Sequence, residues 1–242
     1  MTIIQSPESF KSSRQRVAAL VEKIGEEPSA AIFARLGLDS AEINEWSPDK
    51  WRQAEEGLSA AVAPEKSALH LAALAYAAKG WPVFPCLEGL KVPATANGLK
   101  DATTDPAQID AWWTENKNYN VAFEPECAGL AVIDADTYHE GCNIEALHLP
   151  ETHEVTTPRG GTHYYFLGSV PTTVGDEKKP DKALGPHIDT RGRGSYALLP
   201  PSSIPEFGDY IVKAERPFAK LPDEITAKLA KRDEPAKAPS DV

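Results

Sequence analysis

The sequence predicts an α+β protein, and three observations carry that prediction. Residues 1 to about 63 place apolar side chains at roughly helical spacing, punctuated by residues that cap or end helices. From Pro64 a strongly apolar segment with Leu69, Leu71, Leu74 and Ala75 runs helically to Lys79 and stops at Gly80. Beyond it, short apolar or aromatic runs alternate with Pro- and Gly-containing turns, as strands do. At 242 residues the chain is long enough to bury a good core, as one large domain or two small ones.

Taken in order, Ser6-Pro7-Glu8 caps a first helix with Phe10, Val17, Leu20, Val21 and Ile24 on it. A second helix is expected from Ser29 to Leu36, ending at Gly37, and a third from Ser47-Pro48-Asp49, carrying Trp51, Leu58 and Val62. Residues 1–63 therefore form a helical N-terminal extension, read as a flap on the main domain rather than a docking module. After Gly80 come a strand over Trp81–Pro85 and a long loop, 87–104, holding Lys91 and Lys100. These lysines are either solvated or reach a ligand. Asp105-Pro106 opens a helix whose Ile109, Trp112 and Trp113 face inward. Strands follow at 121–123 and 130–134, and a loop-helix connection spans 137–150. Residues 168–186 are polar, rich in Pro and Gly, and read as a mobile loop. The main domain is bounded at 64–222. A last amphipathic helix, Asp223–Lys231, and a linker-like tail make up 223–242.

Composition excludes several classes. With 41% hydrophobic and 25% charged residues the chain is ordinary for a soluble protein. No apolar run is long enough for a membrane span, and the N-terminus lacks a signal peptide's apolar core. Three cysteines, Cys86, Cys127 and Cys142, with no C-x-x-C, point to a reducing cytoplasm. Zinc held by Cys127 and Cys142 with His139 or His153 is not expected, because the spacing is irregular. The net charge of −11 argues against tight duplex binding, which basic residues drive. Arg159, Lys178, Lys179, Lys182, Arg191 and Arg193 nevertheless gather around the motifs below, compatible with a local basic groove.

The most informative stretch is Leu130–Asp136, LAVIDAD. Its apolar run suits a buried strand, and Asp134 and Asp136 at i and i+2 share one face of an extended chain. Two such anions repel unless a cation sits between them, and hard oxygen donors suit Mg²⁺ or Mn²⁺. The plainer alternative is a strand entering a polar turn that Asp136 caps. Two later stretches add to it. VTTPRGGTHYYF (155–166) is a strand end, a turn through Arg159, Gly160 and Gly161, and an aromatic strand with His163. HIDTRGRGSYALLPPS (187–202) brings Asp189, then Arg191-Gly192-Arg193-Gly194, then an apolar strand from Tyr196 to Leu199.

In this order the D-x-D, the strand histidine after Gly-Gly and the third Asp before R-G-x-G resemble the primase–polymerase (prim-pol) family of the archaeo-eukaryotic primase superfamily, typical of phage and plasmid replication. Gly80–Pro85, Lys91-Val92-Pro93 and Gly98–Pro106 extend the likeness, over roughly residues 66–204. The resemblance implies an RRM-like sheet carrying the carboxylates, covered by a second αβ unit. It implies a DNA primase/polymerase that makes and extends primers on single-stranded DNA from NTPs or dNTPs, by nucleotidyl transfer with two Mg²⁺ or Mn²⁺ ions. Asp134, Asp136 and Asp189 would be the catalytic metal ligands. His163, Arg159, Gly160, Gly161, Arg191 and Lys100 would bind the nucleotide. No G-x-x-x-x-G-K-[ST] is present, so a replicative helicase is expected as a separate partner or fused downstream in a longer chain. The alternative from another class is a catalytically weak or inactive single-stranded-DNA-binding accessory module.

Overall fold

A computed structural model describes residues 7–62, 66–175 and 184–230, and backbone contacts separate the chain into units 1–65 and 66–242. The first unit holds helices α1 (Pro7–Ile24), α2 (Glu26–Arg35) and α3 (Pro48–Val62). Val17, Phe33, Leu38, Trp46, Trp51 and Leu58 are its buried core. Trp46 meets Phe33 edge-on at 5.2 Å and Trp51 at 5.1 Å. Helix α2 begins at Glu26, earlier than the expected Ser29. Gly25, at φ 100, turns the chain there, and two glutamates in the first turn suit the helix dipole.

The second unit opens with α4 (Ala68–Ala78), where the Ser67 side chain accepts the His70 N–H and caps the helix; the expected start at Pro64 lies outside the described residues. Gly80, at φ 82, ends it. Strand β1 (Val83–Cys86) starts two residues later than the expected Trp81 because that indole is occupied elsewhere, stacked between Tyr76 and Phe123. β1 pairs antiparallel with β2 (Asn120–Phe123) across the helix α5 (Pro106–Glu115). Ile109 and Trp113 of α5 are buried, and Trp112 only partly.

The larger sheet carries β3 (Leu130–Ala135), β4 (His153–Thr156), β5 (Thr162–Leu167), β6 (Ile188–Arg191) and β10 (Ile211–Ala214). Their order is β10-β4-β5-β3-β6, each pair antiparallel, and β11 (Ala219–Lys220) lies parallel to the end of β5. The expected strand Tyr196–Leu199 is only Ala197–Leu198 (β7), and it joins the small sheet in the order β1-β2-β7. A two-stranded hairpin, β8 (Ser203–Ile204) and β9 (Gly208–Asp209), follows.

All six residues of β3 are buried, with the two-residue period of a strand covered on both faces. Ala131, Ile133 and Ala135 pack with Phe166, Ile188 and with Ile225 and Leu229 of α6 (Asp223–Ala230). Val132 packs on the other face with Val155, Tyr165 and the small sheet's Phe123 and Leu198. Asp134 stands on this second face. The architecture is α+β, as the sequence predicts. Within the loop expected at 168–186, Thr173 is buried and exchanges backbone hydrogen bonds with Thr190, whereas residues 176–183 and the tail 231–242 lie outside the described residues. No described helix is long and apolar enough to cross a membrane.

Candidate active site

Strand register assembles the site. Asp134, on the central strand β3, lies directly opposite His163 on β5 and Asp189 on β6. Three residues far apart in sequence thus form one row across three strands. Arg191, two residues beyond Asp189, projects from the same face. Its Nη2 donates to Asp134 Oδ2 at 2.9 Å and to Asp189 Oδ2 at 2.8 Å. Asp189 Oδ1 accepts the Gly175 N–H at 2.7 Å. His163 Nε2 lies 3.5 Å from Asp134 Oδ1. Asp134 Oδ1 and His163 Nδ1 are both buried without a hydrogen-bond partner.

The two facing carboxylates are electrostatically unequal. Burial opposes the charge on Asp134, but His163 and then Arg191 outweigh it and hold the carboxyl well below its ordinary range. For Asp189 burial dominates, and with the anions Asp134 and Asp136 nearby it raises the group despite Gly175 and Arg191. Arg191 is itself desolvated, which disfavours its charge, yet the two carboxylates more than compensate. The fold therefore favours the Asp134 anion and resists the Asp189 anion.

Two cavities, of about 400 and 300 Å³, share Lys91, Asp134, His163 and Arg191 in their walls. The larger also reaches Asp136, Tyr138, Arg159 and Phe207. Asp136 sits just past the end of β3, where its N–H donates to His187 O at 2.9 Å. Arg159 lies over the Phe207 ring at 3.9 Å. Burial and the Asp136 carboxylate push the Tyr138 phenol up. Gly161 packs against the end of β3: a Cβ there would fall 2.8 Å from Ala135 O and 3.3 Å from Asp136 Oδ1.

Of the residues singled out from sequence, Asp134, Asp136, His163, Arg159 and Arg191 line the larger cavity, and Asp189 joins through its row and Arg191. Gly160 stands in the turn at φ 90, where its N–H donates to Thr157 O. Lys100 is exposed on the turn Gly98–Asp101 and lines neither cavity, whereas Lys91 from the same loop lines both. Arg193 is largely exposed beside Glu126, and Lys178, Lys179 and Lys182 lie outside the described residues. Sequence reading passed over Gly175, Phe207 and Tyr210, the last of which lines the smaller cavity. Phe207 had a local signal, an aromatic residue in a P-E-F-G turn; the other two are brought in by long-range pairing.

The residues suit a divalent cation in kind. The carboxylates supply hard oxygen donors, and buried Asp134 Oδ1 makes no hydrogen bond. In the present arrangement, however, Arg191 bridges Asp134 and Asp189, and among the described residues no three His, Cys, Asp or Glu side chains converge as a ready metal cage.

A family model described as bifunctional DNA primase/polymerase, N-terminal, matches residues 73–224, a span that includes the whole row and both cavities. No curated protein matches the chain.

Proposed function

This chain belongs to the bifunctional DNA primase/polymerase N-terminal family, and we propose that it synthesises and extends primers on single-stranded DNA at the cleft around Asp134. The observation that carries this reading is the row Asp189–Asp134–His163, set by strand register and opening into cavities lined by cationic side chains. Asp134, Asp136 and Asp189 would hold Mg²⁺ or Mn²⁺. Such ions, when bound, acidify an attacking hydroxyl and neutralise charge on a triphosphate. His163 would donate to a phosphate oxygen, and its buried position excludes water from that contact. Arg191, Arg159 and Lys91 would orient the triphosphate. Gly161 lets the 158–161 turn lie against the carboxylate strand. In this reading residues 64–222 are the catalytic domain, 1–63 an accessory extension and 223–242 a helix and connecting tail. A replicative helicase would supply the unwound template.

The test is primer extension on a single-stranded template with Mg²⁺ or Mn²⁺, with an Asp134→Ala/Asp136→Ala double variant as control. Incorporation by the parent and none by the variant supports the reading. Equal incorporation by both overturns it. A second reading, a single-stranded-DNA-binding module without turnover, draws on the Arg191 bridge that fills the space between Asp134 and Asp189. It expects template retention by parent and variant alike and incorporation by neither.

A further inference from the structure

We propose that Arg191 is an internal counter-ion that closes the carboxylate site until a triphosphate draws it away, so that nucleotide and divalent cation bind cooperatively. The proposal rests on the reading of this cleft as a nucleotidyl-transfer site.

Asp134 and Asp189 face each other on adjacent, hydrogen-bonded strands, so the backbone gives them no freedom to move apart. Two anions so placed, one of them 91% buried by its 9% exposure, require positive charge between them. A single guanidinium nitrogen supplies it, at 2.9 and 2.8 Å. That nitrogen lies between the two oxygens a bridging cation would need. The remaining Asp134 oxygen, Oδ1, is buried with no hydrogen bond and only His163 Nε2 near it, at 3.5 Å.

A guanidinium stays charged at any ordinary pH, so only a competing partner can release it. A cation arriving alone must expel a like charge from between two anions that already neutralise it. A triphosphate changes that balance. Arg191 lines both cavities and its side chain is 28% exposed, so phosphate in either cavity can meet it. Its planar fork suits phosphate oxygens as well as carboxylates. Once it turns to phosphate, both carboxylates are free for a cation. Linkage then makes the coupling reciprocal: bound cation tightens nucleotide as much as nucleotide tightens cation.

The experiment titrates Mn²⁺ into the full chain by electron paramagnetic resonance of free Mn²⁺. Titrations are made with and without a nucleoside triphosphate analogue whose α–β bridge is an imido group, which cannot be incorporated. The analogue should tighten Mn²⁺ binding to the parent by about tenfold, within the usual span of coupling between sites. Arg191→Ala and the less disruptive Arg191→Gln should bind Mn²⁺ about tenfold tighter than the parent without the analogue, and should lose most of the analogue's effect. In chelator both variants should melt below the parent, and Mn²⁺ should raise their melting temperatures more. Unchanged or weaker Mn²⁺ affinity in a folded Arg191 variant overturns the proposal, and so does a parent whose Mn²⁺ affinity ignores the analogue. Asp134→Asn separates the two failures. If it abolishes Mn²⁺ binding while the Arg191 variants behave as the parent, the counter-ion role alone falls. If Mn²⁺ binding survives in Asp134→Asn, the ion sits elsewhere and the site reading falls as well.

Discussion

His163 lies opposite Asp134 on the neighbouring strand, its Nε2 3.5 Å from Oδ1, and both that oxygen and the far ring nitrogen, Nδ1, are buried without a hydrogen-bond partner. Buried polar atoms are nearly always paired, and leaving one unpaired costs about 1–3 kcal/mol. Asp134 and His163 both line the two cavities, so their unpaired atoms sit where a charged ligand would be met.

His163→Ala is therefore expected to weaken nucleotide affinity by roughly 1.5–3 kcal/mol, the usual range for a hydrogen bond to a charged group. Fluorescence titration with a labelled nucleotide measures it. Mn²⁺ binding without nucleotide should change little. A variant that binds nucleotide normally but unfolds easily would make His163 a packing residue against Tyr165 and Tyr210, its ring neighbours.

The inequality between the carboxylates yields a second expectation, read by urea unfolding at neutral pH in chelator. The fold favours Asp134 ionised, so Asp134→Asn discards its attraction to His163 and Arg191 and should cost about 1–3 kcal/mol. The fold resists ionisation of Asp189, so Asp189→Asn should stay within about 1 kcal/mol of the parent. Both substitutions should abolish nucleotide incorporation. The reverse order of stabilities would show that the Arg191 bridge leans on Asp189 instead.

Gly161→Ala tests the contact between the glycine turn and the carboxylate strand. The added carbon would meet Ala135 O at 2.8 Å and Thr157 Oγ1 at 2.9 Å, closer than packed atoms allow. Overpacking of this kind costs about 1–3 kcal/mol. We expect a lower melting temperature and lost incorporation, because the turn must back away from Asp136. Wild-type activity would mean that the turn can shift without moving the site.

Removing residues 1–65 should leave a chain that melts cooperatively and extends an existing primer. The first unit has its own core around Trp46 and Trp51, and the described site residues all belong to the second. Initiation is the more demanding reaction, since a template and two nucleotides must be held before a primer exists. Side-by-side assays of extension and initiation on full and truncated chains measure both. Loss of extension in a cooperatively melting truncation would make the first unit part of the catalytic core.

What could be read from the chain was local. LAVIDAD announces a strand with two carboxylates on one face, and the R-G-G and R-G-R-G turns announce where neighbouring strands begin and end. The α+β class follows from such periodicities. Which strands neighbour each other is a long-range matter that no local pattern encodes. The Tyr196–Leu199 run reads as an apolar strand of unknown neighbours; it is shortened to two residues, joins the small sheet and lines the smaller cavity. Lys91 and Lys100 look equivalent in sequence, yet a hydrogen-bonded loop from Leu87 to Val92 brings only the first to the cavity. Helix starts are hard to read for a similar reason: the Ser67 cap is one side chain choosing one N–H. The Arg191 bridge was out of reach because it depends on the β3–β6 register to within a residue.

That register has a consequence for how the protein comes into being. The central strand of the row leaves the ribosome first, its histidine-bearing neighbour next and the Asp189 strand last. Until the last strand docks, Asp134 is an anion facing a half-built wall, with Arg191 still on the unpaired segment. The residue that completes the row and the cation that neutralises it arrive on the same four-residue strand, Ile188–Arg191. A nascent chain stalled before that point would hold Asp134 at the centre of its largest sheet with His163 but without the guanidinium that bridges the finished row.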